Sequence, residues 1–362
     1  MQNRIVSIDV LRGLTILLMI VVNTPGSWSY VYPPLLHAKW HGCTPTDLVF
    51  PSFLFIIGLT MAISFKHVSG KSLPRIFKRG LLIFLVGLLL NWFPFYNTHL
   101  SDLRIFGVLQ RIALAFLGAA VVITVSRNQK TIIVVSAVAL LLLHWLCLTL
   151  FGSTSDPFSL AGNFSRIVDL AILSENQLYG GFGIPFDPEG LLGTLSSIAQ
   201  VLFGYLTARF ILQSPLTSKR VMVLALAGIA CITGGLLLDL VYPINKPLWT
   251  GSYVFYTSGI IICIWAAMMW LIDVRKISAW TYPFQVVGTN PLISYVFSIV
   301  LAKLLYHISF AGGNSLYSWL YANVFQSVLG NYLGSLAFAL TVTGIVWLVA
   351  WWLYRRKIVV KL

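Results

Sequence analysis

Charge is scarce in this chain: 9% of its 362 residues are Asp, Glu, Lys or Arg, against roughly 25% in a soluble domain. With 58% hydrophobic residues, the composition excludes an ordinary water-soluble globule and places the chain in lipid. Acidic residues are scarcest, ten against 24 basic ones. The net charge of +14 would suit nucleic acid, but Lys and Arg fall in short clusters between apolar runs and form no basic face. That argues against a nucleic-acid partner and makes the charge a topology signal. Cysteine is sparse too: Cys43, Cys147, Cys231 and Cys263 are widely separated, without CxxC or Cys/His spacing, so neither a disulfide framework nor a metal site is expected. No small-residue cleavage site follows the basic start and apolar stretch of Met1 to Asn23, which reads as a retained first helix and not a signal peptide. No internal repeat is strong enough to support an inverted-repeat transporter.

A bilayer core of about 30 Å needs roughly 17 to 25 helical residues. The segments approaching that length are 5–23, 46–65, 80–95, 105–125, 131–151, 190–208, 221–240, 251–272, 283–305 and 332–354. The expected fold is all-α, a polytopic membrane protein of about ten transmembrane helices, with 1–362 read as a single domain. With the first helix entering from the cytoplasm, 18 of the 24 Lys and Arg residues fall on cytoplasmic ends and loops, Arg4, Lys66, Lys71 and Lys361 among them. This asymmetry puts both termini in the cytoplasm. The outward loops are then 24–45, 96–104, 152–189, 241–250 and 306–331. The longest, 152–189, carries GSTSDPFSLAGN and YGGFGIPFDPEG; such backbone cannot lie in lipid unless folded against protein, so the loop is expected to cap a cavity.

Ionisable residues inside or beside a span usually face a partner or a watery cavity. Asp9 and Arg12 share a helix face and can simply pair. Asp47 begins the second span, where a carboxylate suits the helix dipole. Arg111, well inside the fourth span, needs an anionic partner, which is either a protein carboxylate or a ligand phosphate. The densest polar constellation is Asn23 to Asp47, NTPGSWSYVYPPLLHAKWHGCTPTD. His37 and His41 stand four residues apart there, a spacing that can bind metal on a helix, but the flanking prolines and the absence of an HExxH glutamate weigh against it. A histidine suits proton removal near neutral pH; interfacial histidines in a wet loop are the plainer alternative.

Several stretches together resemble the heparan-α-glucosaminide N-acetyltransferase family and its bacterial transmembrane relatives. They are SIDVLRG, HAKWHGCTPTDLVFPSFLFIIG, FGVLQRIAL, GIPFDPEGLLGTL, NKPLWTGSYVFYTSG and GTNPLISY, in this order along most of the chain. The resemblance implies a multi-pass acyltransferase of a bacterial inner membrane. It would carry acetyl from cytoplasmic acetyl-CoA to the amine of a glucosamine-type sugar on the periplasmic side. The resemblance makes His37 catalytic, assisted by Asn23, while His41 stands where the lysosomal relative has Asn. It also makes a homodimer a reasonable expectation.

Aminolysis of a thioester needs a base for the amine and a donor for the oxyanion; the thiolate, of pKa about 8.5, leaves without much help. His37 is assigned as the base and the Asn23 amide as the donor, with an acetyl-His37 intermediate as the alternative route. Trp40, His41, Asp47, Asp187 and Glu189 are expected to line the sugar side. Arg111, with Arg12, Arg79 and Lys276 at the inner rim, is available for the phosphates of CoA, although rim cations also serve topology. Two other readings stay open: a transporter of amino sugars or muropeptides, and an O-acyltransferase acting on a lipid or glycan hydroxyl.

Overall fold

In a computed structural model that describes residues 5–65, 73–96, 99–310 and 313–360, the chain is built from helices, with no strand among the described residues. Arg4, Lys66, Lys71 and Lys361 of the charge tally lie outside the described residues. The helices are α1 Val6–Asn23, α2 Val49–Ser64, α3 Leu73–Trp92, α4 Val108–Val125, α5 Lys130–Phe151, α6 Phe164–Ile172 and α7 Gly193–Leu212. They continue with α8 Ser218–Asp239, α9 Gly251–Met269, α10 Tyr282–Thr289, α11 Pro291–His307, α12 Leu316–Leu320, α13 Ser327–Leu329 and α14 Asn331–Arg355.

Eight helical stretches among the described residues are long and apolar enough to cross a membrane, α2 counting from Pro45 and α9 through Val274. The chain is a polytopic membrane protein. The expected number of spans was about ten, and two places account for the difference. The expected third span belongs to α3, which starts at Leu73 and so takes Arg75, Lys78 and Arg79 into its first turns; long basic side chains there can reach back to a membrane surface. The expected ninth span, 283–305, is broken: α10 and α11 meet at a 73° bend, and counting them as one span brings the total to nine. Pro291 supplies the reason, because it lacks an N–H to donate and its ring drives the preceding residue out of the α region. Asn290 indeed has φ −126° and ψ 59°. Its side-chain amide is re-used, donating to the Ile358 carbonyl at 2.8 Å and accepting from Val360 N–H at 2.9 Å. The 358–360 segment is thereby strapped to the bend.

Local chemistry sets the helix ends. The start of α1 has no capping side chain of its own; instead Asp273, in the π turn that follows α9, accepts from the Val6 and Ser7 N–H groups at 3.0 and 3.3 Å. That satisfies orphan donors of the first turn. A 3₁₀ turn over Pro45–Leu48 leads into α2, with Pro45 at its first position and a reciprocal capping box between Thr44 and Asp47.

Two helix pairs pack backbone to backbone. On α2 and α7, a Cβ at Gly58 would lie 2.0 Å from the Val201 carbonyl oxygen, and one at Gly204 2.0 Å from the Phe55 carbonyl oxygen. Between α1 and α10, Gly13 and Gly288 play the same part, meeting the carbonyls of Phe284 and Asp9. Only glycine permits this approach, the usual device for joining helices in lipid. The 37–47 loop joins the far ends of α1 and α2, whereas the described chain ends, Ile5 and Val360, lie at the opposite end of the bundle.

Candidate active site

The loop between α1 and α2 is held by its own caps and by the 240–250 loop. Gly42, at φ 101°, adopts a conformation that L side chains rarely take, and donates its N–H to the Ile244 carbonyl at 2.7 Å. Asn245 is buried; its side chain donates to the Trp40 carbonyl at 3.0 Å, contacts His41 Nδ1 at 3.3 Å and accepts from Leu248 N–H at 2.7 Å. This knot delivers Lys246 to the same corner as His37.

There three side chains form a triangle. His37 Nδ1 lies 2.7 Å from Asp47 Oδ1 and 2.9 Å from Lys246 Nζ, while Lys246 Nζ lies 3.2 Å from Asp47 Oδ1. The other Asp47 oxygen accepts from Ala38 N–H, Thr44 N–H and the Thr44 hydroxyl, each at 3.0 Å. Asp47 is 1% exposed, whereas 47% of the His37 side chain is open. A buried carboxylate on Nδ1 orients an imidazole and leaves Nε2 available as a base. Burial pulls the Lys246 ammonium below the usual lysine range, against the pull of Asp47 upward. Burial also pushes the nearby Cys43 thiol up to about 12, which removes it as a thiolate nucleophile near neutral pH. Tyr253 of α9 supports the corner from below, donating to the Asp47 carbonyl at 2.5 Å.

The 152–189 segment packs beside this corner. Trp40 donates its indole N–H to the Phe158 carbonyl at 2.9 Å and meets Phe182 and Phe186 edge-on. Behind them Arg104 binds both oxygens of buried Asp187 at 2.8 Å and reaches Glu189 at 2.5 Å. Burial disfavours the Arg104 charge, but hydrogen bonds to Asp187 and the Glu189 carboxylate outweigh it and hold the guanidinium above its ordinary range. Asp169, on α6, packs against Gly190 and accepts from Leu191 N–H at 2.9 Å; burial pushes its carboxyl up to about 7.

The expected site residues thus separate into groups. His37 and Asp47 touch, Trp40 and His41 flank them in the same loop, and Asp187 and Glu189 are bound to Arg104, which precedes α4. Asn23 closes α1 with an exposed side chain, and among the described residues no hydrogen bond joins it to His37. Arg111 is buried and donates to a carbonyl, that of Gly190 at 2.7 Å, with Ser197 at 3.4 Å and the Trp249 ring 5.4 Å away. Arg12 and Arg79 instead line a cavity of about 580 Å³ at the opposite end of the bundle, together with Val359 and Val360. Arg12 also pairs with Asp9 at 3.4 Å. Lys276 is exposed in the turn beyond α9 and does not line this cavity. The cavity runs up α1 to Met19 and along α2 to Phe53. At 1.5 Å of rise per residue, it stops about 6 Å short of Asn23 and about 9 Å short of Asp47. Lys246, Asn245 and Arg104 had drawn no role from sequence. The available signal was a cation, Lys246, on the side that the basic clusters avoid, next to Asn245 in NKPLWTG.

Residues 4–165 match the heparan-alpha-glucosaminide N-acetyltransferase catalytic family. The matched stretch contains His37, Asp47 and Arg111 but ends before Asp187 and Lys246. The chain is similar to the mouse heparan-alpha-glucosaminide N-acetyltransferase, 27% identical over 359 residues, covering 81% of this chain and 53% of the mouse protein. It is equally similar to the human protein of the same name, 27% identical over 352 residues, covering 81% of this chain and 52% of the human one. The chain therefore spans about half the length of the curated relatives it matches.

Proposed function

We propose that this chain is a transmembrane acetyltransferase that moves an acetyl group from acetyl-CoA to the amine of a glucosamine-type sugar at the opposite membrane face. The observation that carries the reading is the pairing of two half-sites. An oriented His37–Asp47 pair lies at one end of the bundle, and an Arg-lined cavity rising toward it opens at the other. A volume of about 580 Å³ falls within the roughly 300–1,000 Å³ of small-molecule sites. Arg12 and Arg79 suit phosphates at the mouth, and the apolar stretch from Ile112 to Ile16 suits an extended pantetheine arm.

In this mechanism Asp47 holds Nδ1–H, and Nε2 of His37 takes the proton of the sugar amine as the C–N bond forms and the C–S bond breaks. The electron pair of the C–S bond leaves with the CoA thiolate. The Asn23 amide donates to the developing oxyanion. Trp40 offers an aromatic face to the sugar, with His41 and Glu189 nearby for its hydroxyls. The charge asymmetry supports cytoplasmic termini, and with them a cytoplasmic CoA mouth, and this reading takes the membrane to be a bacterial inner membrane.

One feature favours a second reading: broken helices such as α10–α11 build substrate sites in transporters. Purified protein in detergent, given labelled acetyl-CoA and glucosamine, separates the two. Labelled N-acetylglucosamine that disappears in His37→Ala supports the transferase. Absence of product together with glucosamine uptake into proteoliposomes would replace it with the transporter.

A further inference from the structure

A neutral histidine flanked only by a buried carboxylate tends to keep the proton it removes, because the carboxylate favours the imidazolium. Here a second charge is present. Lys246 Nζ is 2.9 Å from Nδ1 and 3.4 Å from Nε2 of His37, so it lies beside both ring nitrogens, and the same ammonium touches Asp47 Oδ1 at 3.2 Å. Nδ1 carries one hydrogen or one lone pair, never both. It therefore satisfies Asp47 as a donor or Lys246 as an acceptor, not the two together. The Asp47 oxygen, in contrast, can accept from both partners. The consistent arrangement is Nδ1–H to Asp47, Lys246 to Asp47, and an ammonium beside the imidazole that opposes a second positive charge.

We propose that Lys246 is a positioning residue for the transfer chemistry: it neutralises Asp47 and keeps His37 a proton acceptor that gives its proton back to water. This rests on the acetyltransferase reading for its purpose but not for its geometry. The charged and titratable groups near His37 are Asp47 at the head of α2, Lys246 in the 240–250 loop, and Lys39, His41 and Cys43 in its own loop, with Glu189 acting on Lys246. Lys246 alone among them touches both the base and its carboxylate. Its location explains why Asn245 is so heavily bonded. The Asn245–Thr250 turn, closed at 3.0 Å, fixes the backbone from which the lysine reaches inward.

The test reads His37 directly. Diethyl pyrocarbonate acylates neutral imidazole, and the labelling of His37, followed by peptide mass spectrometry across pH on detergent-purified protein, reports when the ring loses its proton. Removing a charge at contact distance from a half-exposed ring should move the half-maximal labelling upward by about one pH unit in Lys246→Met. Lys246→Arg, which keeps the charge, should leave it near wild type. Turnover of Lys246→Met should fall several-fold on the acid side, with KM for acetyl-CoA unchanged. An unmoved labelling curve in Lys246→Met overturns the proposal, as does an equal shift in Lys246→Arg or a rise in sugar KM alone. Should Lys246→Met melt early, Lys246→Gln, which still donates to Asp47, is expected to show the same upward shift and overturns the proposal if it does not. A labelling shift in a protein that transfers no acetyl would leave the coupling standing and remove the acetyltransferase reading.

Discussion

Asp47→Asn tests whether one carboxylate builds the loop and orients the base at once. In the native protein, one oxygen of Asp47 accepts from three donors, the N–H groups of Ala38 and Thr44 and the Thr44 hydroxyl, each at 3.0 Å. The other meets His37 and Lys246 at 2.7 and 3.2 Å. An amide has one acceptor side only. If its oxygen stays with the loop, its NH₂ faces the Lys246 ammonium and the Nδ1–H of His37; if it flips, its NH₂ faces three donors. The first orientation costs the Lys246 ammonium its acceptor and forces His37 into the Nε2–H tautomer; the second orphans the Ala38 and Thr44 N–H groups, at a position 1% exposed. At about 1–3 kcal/mol for each orphaned group, one or two such groups cost about 1–6 kcal/mol. Turnover should fall about 10²- to 10⁴-fold as the imidazole loses its orientation. Thermal unfolding in detergent, followed by tryptophan fluorescence, reads the first effect, and acetyl transfer from labelled acetyl-CoA reads the second. Wild-type melting would refute the account of the loop, and wild-type turnover in a folded variant would refute the pairing with His37.

His37→Ala, by contrast, removes an exposed side chain. It should abolish transfer by about 10²- to 10⁴-fold without altering the melting temperature or CoA binding, while His41→Asn keeps most of the rate; an active His37→Ala beside a dead His41→Asn would exchange the two roles. Arg12→Ala combined with Arg79→Ala should weaken acetyl-CoA binding tenfold or more by calorimetry, at about 1.5–3 kcal/mol per charge-assisted contact. Arg111→Ala should cost stability and leave that affinity unchanged, because its guanidinium is occupied by the Gly190 carbonyl. Asp169, raised by burial from 3.8 to about 7, favours the folded 152–189 segment in its protonated form. That contribution is full below pH about 4 and is lost as pH rises toward 7. Cleavage of 152–189 by a protease active across this range should increase from pH 4 to 7, and Asp169→Asn should flatten the trend.

Much of the helical layout was legible because apolar runs alone decide where lipid-embedded helices lie. Lys130–Phe151 and Ser218–Asp239 fall within three residues of the expected 131–151 and 221–240. The α3 start was misplaced because composition cannot distinguish basic residues that leave a helix from those that reach out of one. The α10–α11 break was visible as Pro291 in GTNPLISY, but the apolar residues on both sides made one continuous run of it. At the site, His37 was legible as a candidate base, yet Asp47 was read as a helix-end carboxylate and a sugar contact. It caps a helix and also binds the ring, ten residues away in sequence. The Lys246 contact lies 209 residues from His37 and the Arg104–Asp187 pair spans 83. No local spacing rule encodes either, since both depend on how separate helices pack.

The glycine contacts of α2 and α7 work as a key in a slot. Each helix presses a carbonyl into the groove left by the other's missing side chain, at Gly58 and at Gly204. A slide of one residue, about 1.5 Å, would carry those carbonyls out of their grooves and onto neighbouring Cβ atoms, so these helices resist shear. Since α2 bears Asp47 at its head and lines the cavity along its flank, this packing fixes the spacing between Asp47 and one wall of the cavity. Under the proposed function, access would be set at the two ends, at the aromatic cluster around Trp40 and at the 358–360 segment held by Asn290.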